Sequence, residues 1–237
     1  MKNHYFTEEY RSFRELATSM TLGISNNPIY DAFMRRIEKL ALRKGKALDV
    51  GAGMGLLSNR LIMNGRFDFV VGADFIYPHP TLRHIPWVRC DLNVDLPFSN
   101  EQFDLIFCAE VIEHLENPWG LARDLYRLLK DNGVLLLSTP NNESIRNYLS
   151  LLLRGYYTDF NPSSYPVHIT PFLRVDLMRI LTAVGFSQMR IHYTNVGAIP
   201  KIRRLKWQHL GGDWIFKGRL FSDNLLIEAR RILKVAE

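Results

Sequence analysis

The sequence predicts an α/β fold, a seven-stranded, mostly parallel sheet flanked by helices. Three observations carry this expectation. Between Ala47 and Ser138 five short apolar runs alternate with helical stretches, the pattern of strand–helix–strand crossovers. Helix starts marked by Asn-Pro or Thr-Pro and helix ends marked by glycine separate the runs. Two further runs, Met189 to Tyr193 and Leu225 to Ala229, bring the strands to seven, with the last expected antiparallel.

Composition bounds the rest. The chain has 237 residues, of which 47% are hydrophobic, so it is long enough for one α/β domain and too apolar for disorder. No charge-free apolar run approaches the ~18 residues of a membrane span. The N-terminus "MKNHYFTEEYRSFREL" is charged throughout and lacks an apolar signal core, which predicts a cytoplasmic location. Cys90 and Cys108 sit inside predicted strands and read as reduced core residues. A net charge of +6 permits an anionic partner, although the surplus is spread along the chain. No repeat or linker divides the sequence. The expected organisation is an N-terminal helical lid over residues 1–45 and one domain over 46–237.

Taken in order, the first element is a helix over residues 7–20, capped by Thr7 with Glu8 and Glu9 in its first turn. A second helix opens at Asn27-Pro28, buries Ile29, Phe33, Ile37 and Leu40, and ends near Gly45. The strands are Ala47 to Val50, Phe69 to Ala73, Trp87 to Cys90, Phe103 to Cys108 and Val134 to Ser138. A helix from Asn117-Pro118 turns Leu121, Leu125, Leu128 and Leu129 to one face and closes at Asn132-Gly133. Another, from Thr170-Pro171 to Gly185, has Phe172, Val175, Met178 and Leu181 inward. A long connection from Val196 to Asn224 precedes the last strand.

In an open parallel sheet, ligands bind at the carboxyl ends of the strands. Here those ends carry Asp49, Asp74, Asp91 and Glu110, and the stretch "ALDVGAGMG" turns through Gly51, Gly53 and Gly55. Four carboxylates on one rim disfavour a pyrophosphate and suit a cofactor bearing a sulfonium, an ammonium, a diol and an adenine amine. Asp74, one strand–helix–strand unit after Asp49, can hold a ribose diol. Asp91, with Leu92 beside it, can take an adenine. The glycines let backbone approach the amino-acid end, and the following helix offers it N–H donors. The GxGxG spacing also departs from the GxGxxG dinucleotide fingerprint.

These stretches, "LDVGAGMG", "VVGADF", "RCDLNVDLPF", "FDLIFCAEVIEHLENP" and "GVLLLSTPN", resemble the class I methyltransferases that use S-adenosylmethionine, with their Rossmann-like sheet. The resemblance covers about residues 28–195 and the last strand. It implies that Asp49, Gly51, Gly53 and Gly55 line the methionine portion. Asp74, with Phe75 beside it, would hold the ribose, Asp91 and Leu92 the adenine, and the region of Glu110 would face the cofactor.

The acceptor is less constrained. "CAEV" at the end of the fourth strand lacks the Asp/Asn-Pro-Pro-aromatic stretch of base amino methylation, and Cys108 lacks the preceding proline of carbon-5 methylation. His168, in the loop "YPVHITPF", and His114 are the candidate catalytic residues, since a neutral imidazole is the natural base for a hydroxyl. The expectation is O-methyl transfer, without a metal, to a small-molecule, glycan or lipid-linked acceptor. The order "ExxEH…STPN…H" also resembles metal-assisted 2′-O-methyltransferases of small-RNA 3′ ends and ubiquinone-pathway O-methyltransferases. In that alternative Glu110, Glu113, His114 and His168 hold a divalent ion, although the second histidine that the RNA enzymes carry near this last position is missing. A second alternative is a non-catalytic S-adenosylmethionine-binding scaffold. Segments 141–169 and 197–222 are expected to face the acceptor, and the basic-aromatic 197–222 is also a candidate for peripheral membrane contact.

Overall fold

The computed structural model describes residues 23–40, 44–200 and 202–233. The expected helix over residues 7–20 lies outside them. Helix α1 (Asn27–Lys39) starts with Pro28 in its first turn and buries Ile29, Phe33 and Ile37. Strand β1 (Lys46–Val50) follows, then α2 (Leu56–Asn64), β2 (Phe69–Asp74), β3 (Trp87–Arg89) and β4 (Phe103–Ala109). Helix α3 (Pro118–Leu128) leads into β5 (Leu129–Pro140), and α4 (Ile145–Arg154), α5 (Arg174–Val184) and β6 (Phe186–Tyr193) come next. A two-stranded hairpin, β7 (Ala198–Ile199) with β8 (Ile202–Lys206), and a kinked helix α6 (Gln208–Ile215) fill the long connection before β9 (Asn224–Arg231).

Seven strands form one sheet in the order β3-β2-β1-β4-β5-β9-β6. Strands β1 to β5 pair in parallel, and β9 runs antiparallel between β5 and β6. The expected sheet is therefore present, with its antiparallel last strand. Alternation along the strands divides the core in two. Leu48, Val50, Ile106 and Cys108 meet α3 and α5 through Leu121, Leu125, Leu177 and Leu181. Ala47, Leu105, Phe107 and Leu136 meet α1 and α2 through Ile29, Phe33, Leu57 and Leu61. Helices thus cover both faces of the sheet, as crossover connections require. No helix among the described residues is long and apolar enough to cross a membrane.

Three helix boundaries differ from expectation. Helix α1 ends at Lys39, short of Gly45, because Leu40 turns extended. Helix α3 stops at Leu128, and Leu129 is extended opposite Phe103 instead of completing the helical face. Asn132, at φ 60°, and Gly133 make the turn inside the strand rather than at a helix end. Helix α5 starts after Leu173, whose N–H donates to the Asp176 carboxylate at 3.2 Å. Val175 is exposed, and Leu177, Ile180 and Leu181 face inward.

Candidate active site

A cavity of roughly 680 Å³ opens at the carboxyl ends of the parallel strands. Its lining includes Gly51, Asp74, Phe75, Asp91, Leu92, Glu110, His114 and His168, so the structure brings most of the expected site residues together. Asp49, Gly53 and Gly55 lie outside the lining. Asp49 shares the sheet face of Ala47, away from Leu48 and Val50, and is buried beneath α2. There Ser58 Oγ donates to it at 2.7 Å, and burial pushes its carboxyl up to about 7.

The glycine turn closes on protein rather than on open space. A Cβ at Gly53 would stand 1.9 Å from the Gly23 carbonyl oxygen. Gly53, at φ 54°, therefore allows the segment Gly23–Ile29 to lie against the turn, and that segment lines the cavity. Gly55, at φ 84°, is the residue from which α2 departs. The Gly53 N–H donates to Asp74 Oδ2 at 2.8 Å, and the Ile76 N–H to Asp74 Oδ1 at 3.0 Å. Burial raises the Asp74 carboxyl, and these two donors oppose the rise. Asp91 Oδ1 accepts from the Asn93 N–H at 2.9 Å, beside buried Leu92.

The second cluster follows β4. Glu110 takes φ 56°, which breaks the helical continuity from Glu110 to His114. Only Ile112–His114 form a single 3₁₀ turn, so Glu110 does not share a face with Glu113 and His114. Its two carboxylate oxygens accept instead from Ser138 Oγ and Asn224 Nδ2, both at 2.7 Å. Burial, then the neighbouring Glu113, hold Glu110 well above the usual carboxylate range. Glu113 is fully buried, and its carboxyl is pushed up to about 8 by that burial. Thr139 Oγ1 donates to Glu113 Oε2 at 3.0 Å, while Oε1 is buried without a hydrogen bond.

His168 reaches this cluster from the loop after α4. The Ile169 and Thr170 N–H groups donate to the Glu113 carbonyl at 3.0 and 3.1 Å, which ties the loop to the end of β4. The His114 and His168 rings lie 4.8 Å apart, with Phe160 on His168 at 5.2 Å. Nδ1 of His114 faces the Val167 carbonyl at 2.7 Å, and Nδ1 of His168 faces the Asp159 carbonyl. A carbonyl only accepts, so in each neutral ring the proton sits on Nδ1 and Nε2 carries the lone pair. Burial lowers the His168 pKa, which keeps that ring neutral. Glu113, His114 and His168 each offer a ligand atom within 4.8 Å of the others. Of the four residues in the metal-holding alternative, the structure gathers these three and leaves Glu110 apart.

Further lining residues come from or lie just beyond segments 141–169 and 197–222, expected to face the acceptor, although no motif singles out their pairing. Arg146 of α4 and Lys206 of β8 stand 3.3 and 3.7 Å from the Asp223 carboxylate, and all three line the cavity with Asp159 and Asn224. The approach of α4, β8 and β9 to one another is long-range, and no local pattern encodes it. Of the two cysteines, Cys90 is half-buried and Cys108 buried, both as free thiols. Burial pushes Cys90 up to about 12 and holds Cys108 well above the ordinary thiol range, so neither is a ready nucleophile.

The family described as "Methyltransferase domain" matches residues 26–189. Among curated relatives, a ubiquinone biosynthesis O-methyltransferase of Pseudomonas putida (strain W619) is 26% identical over 190 residues, covering 70% of this chain and 81% of the relative. One of Coxiella burnetii (strain Dugway 5J108-111) is 28% identical over 178 residues, covering 68% and 73%. A SAM-dependent methyltransferase from Archaeoglobus fulgidus superposes with a TM-score of 0.59 at 17% identity, over 96% of this chain and all of that one. One from Mesorhizobium loti gives 0.55 at 17% identity, over 85% and 98%. At these identities the solved structures establish the fold.

Proposed function

The chain belongs to the methyltransferase-domain family and is an S-adenosylmethionine-dependent methyltransferase, and from that premise we propose that it methylates a hydroxyl of a small-molecule acceptor. The cavity residues suit the cofactor. About 680 Å³ is ample for a ligand of this size. Asp74 and Asp91 end neighbouring strands of one rim as acceptors for a diol and an amine. Among the described residues the two Lys or Arg side chains in the lining, Arg146 and Lys206, are paired with Asp223 and form no cationic cradle for a pyrophosphate. Asp74, Phe75, Asp91 and Leu92 would hold the nucleoside, with Gly51 and the region of Glu110 towards the methionine end. Asp49 would support the turn from beneath α2. Segment Gly23–Ile29 would cover the site as the inner part of the N-terminal lid.

The single observation behind the hydroxyl reading is the tautomer of His168. Bound S-adenosylmethionine supplies an electrophilic methyl on its sulfonium. A hydroxyl becomes a competent nucleophile by losing its proton, and His168 Nε2 is a neutral, unprotonated acceptor in the cavity wall. The Asp159 carbonyl stabilises the imidazolium that forms. Phe160 and His114 fix the ring plane, and segments 141–169 and 197–222 supply the acceptor's surroundings. The names of the curated relatives, ubiquinone biosynthesis O-methyltransferases, favour a small molecule over a glycan or RNA. The test is incubation with labelled cofactor and separate pools of phenols, lipid-linked sugars and small RNA. The reading expects an O-methyl product from the phenols, identified by mass spectrometry, and fails if the label enters only RNA or amines.

A second reading has its own observation. Glu113 Oε1 is a buried acceptor without a hydrogen bond beside two imidazoles whose Nδ1 atoms are fixed by carbonyls, the usual outer support of metal-ligating histidines. Glu113, His114 and His168 would hold a divalent ion, and such an ion acidifies a bound hydroxyl. Loss of activity on chelation, restored by a divalent metal, would select this version over the free base.

A further inference from the structure

Helix α4 is built inside out. Its buried side chains are the polar Asn147 and Ser150. Asn147 donates to the Asn141 carbonyl and accepts from Thr158, and Ser150 donates to the Tyr156 carbonyl. Its apolar side chains face outward, with Leu152 81% and Leu153 70% exposed and Tyr148, Leu149 and Leu151 beside them. A surface helix normally shows the reverse pattern. The β8–α6 insertion repeats it, exposing Leu205, Leu210, Ile215 and Trp214, the last by 76%. Both structures root at one point on the cavity rim, where Asp223 meets Arg146 of α4 and Lys206 of β8. Exposed apolar faces of this kind beside a cavity mark an interaction site.

Charge identifies the occupant. The leucine face of α4 ends at exposed Arg154, and the sequence from 201 to 219 holds six Lys and Arg against one Asp. The whole chain carries +6. A second copy docked on this face would bring those cations together, whereas anionic headgroups complement them. Leucines to enter the acyl boundary, Trp and Tyr rings, and the exposed cationic side chains of Arg154 and Lys217 are the ingredients of an interfacial membrane contact.

We propose that the outward faces of α4 and α6 seat this protein on an anionic lipid bilayer, with the cavity mouth at the membrane surface. The contact does not depend on the transfer chemistry proposed above, and its test is separate. The full chain is sedimented with vesicles of phosphatidylcholine alone and of phosphatidylcholine with roughly one-third phosphatidylglycerol. Binding is expected to the mixed vesicles and to weaken at least about fivefold on neutral vesicles or in high salt. Leu152→Glu combined with Leu153→Glu should reduce vesicle binding about tenfold or more while leaving the melting temperature and S-adenosylmethionine affinity unchanged. Lys217→Glu should give a smaller loss. Failure of the wild type to sediment with mixed vesicles, or equal sedimentation of the double variant, overturns the proposal. So does a wild-type dimer that the double variant converts to monomer, which would assign the face to a second copy.

Discussion

The two ends of the sheet rim treat polarity in opposite ways. Over β1 and β2, carboxylates are buried and satisfied from close by, as with Asp49 on Ser58 and Asp74 on the N–H groups of Gly53 and Ile76. Over β5 and β9, the connecting segments turn Asn147 and Ser150 inward and a row of leucines outward. The first arrangement fixes one shape and suits a ligand that never changes. The second leaves apolar area unspent on the fold, and that area is available to something outside the chain. On the reading proposed above, burial at one end and display at the other would divide the labour between holding a cofactor and meeting an acceptor.

The largest expected effect breaks the acceptor end at its chemistry. His168→Ala should lower kcat by about 10²–10⁴-fold with S-adenosylmethionine affinity unchanged, measured by steady-state kinetics alongside calorimetry. Full turnover in that variant, with no response to chelator, would leave positioning as the whole of catalysis.

At the cofactor end the expected effect is on stability and depends on pH. The Asp49 carboxyl is raised from 3.8 to about 7 by burial. The folded state therefore retains a proton that the unfolded chain gives up, and stability is lost as pH rises between those values. The loss amounts to as much as about 4 kcal/mol. Asp49→Asn should flatten that slope, seen as melting temperatures that vary less than wild type between pH 4 and pH 7.5. Parallel curves would mean that the carboxyl titrates normally. Asp74→Ala removes the acceptor for two backbone donors and for the proposed ribose diol. Cofactor affinity should fall about 10–100-fold by calorimetry, as expected for lost hydrogen bonds to a charged group.

The smallest effect makes the sharpest contrast. Leu105→Ala in the core should cost about 2–5 kcal/mol in denaturant unfolding, and Leu152→Ala on α4 should stay within about 0.5 kcal/mol. A large loss at Leu152 would mean that its exposed face is covered in solution.

The cofactor end was largely legible in the sequence because its parts are local. Strand-end carboxylates follow short apolar runs, and a glycine turn follows the first, so Asp74, Asp91 and Gly51 could be placed by counting. Asp49 misled because strand alternation, not proximity to the glycines, decides which way a strand-end side chain points. Glu110 misled for a related reason. Spacing put it one helical turn from His114, but its left-handed backbone breaks the turn. His168 was visible as a histidine in a proline-rich loop, whereas its Asp159 carbonyl partner and the Val167 carbonyl that holds the neighbouring His114 ring depend on contacts across 9 and 53 residues. The inverted polarity of α4 was half visible, since "NYLSLLL" has too many leucines for a solvated helix. Which face would be buried depended on where Thr158 and Asn141 came to lie.

The two N–H groups of Ile169 and Thr170 on the Glu113 carbonyl carry a consequence for how such an enzyme diversifies. They gauge the height of the His168 segment against the turn that follows β4, while the Asp159 carbonyl and, through Thr158, Asn147 of α4 hold the ring from the other side. Substitutions between Asn141 and Tyr157 that keep Arg146 and Asn147, the residues tied to Asp159 and Thr158, would then remodel what enters the cavity while leaving the proposed proton acceptor at its height. On the reading proposed above, grafting a different α4 surface that retains Arg146 and Asn147 onto this chain should change which hydroxyl is chosen before it changes how fast the proton leaves. In engineering terms, selectivity and reactivity here sit on separate adjustments.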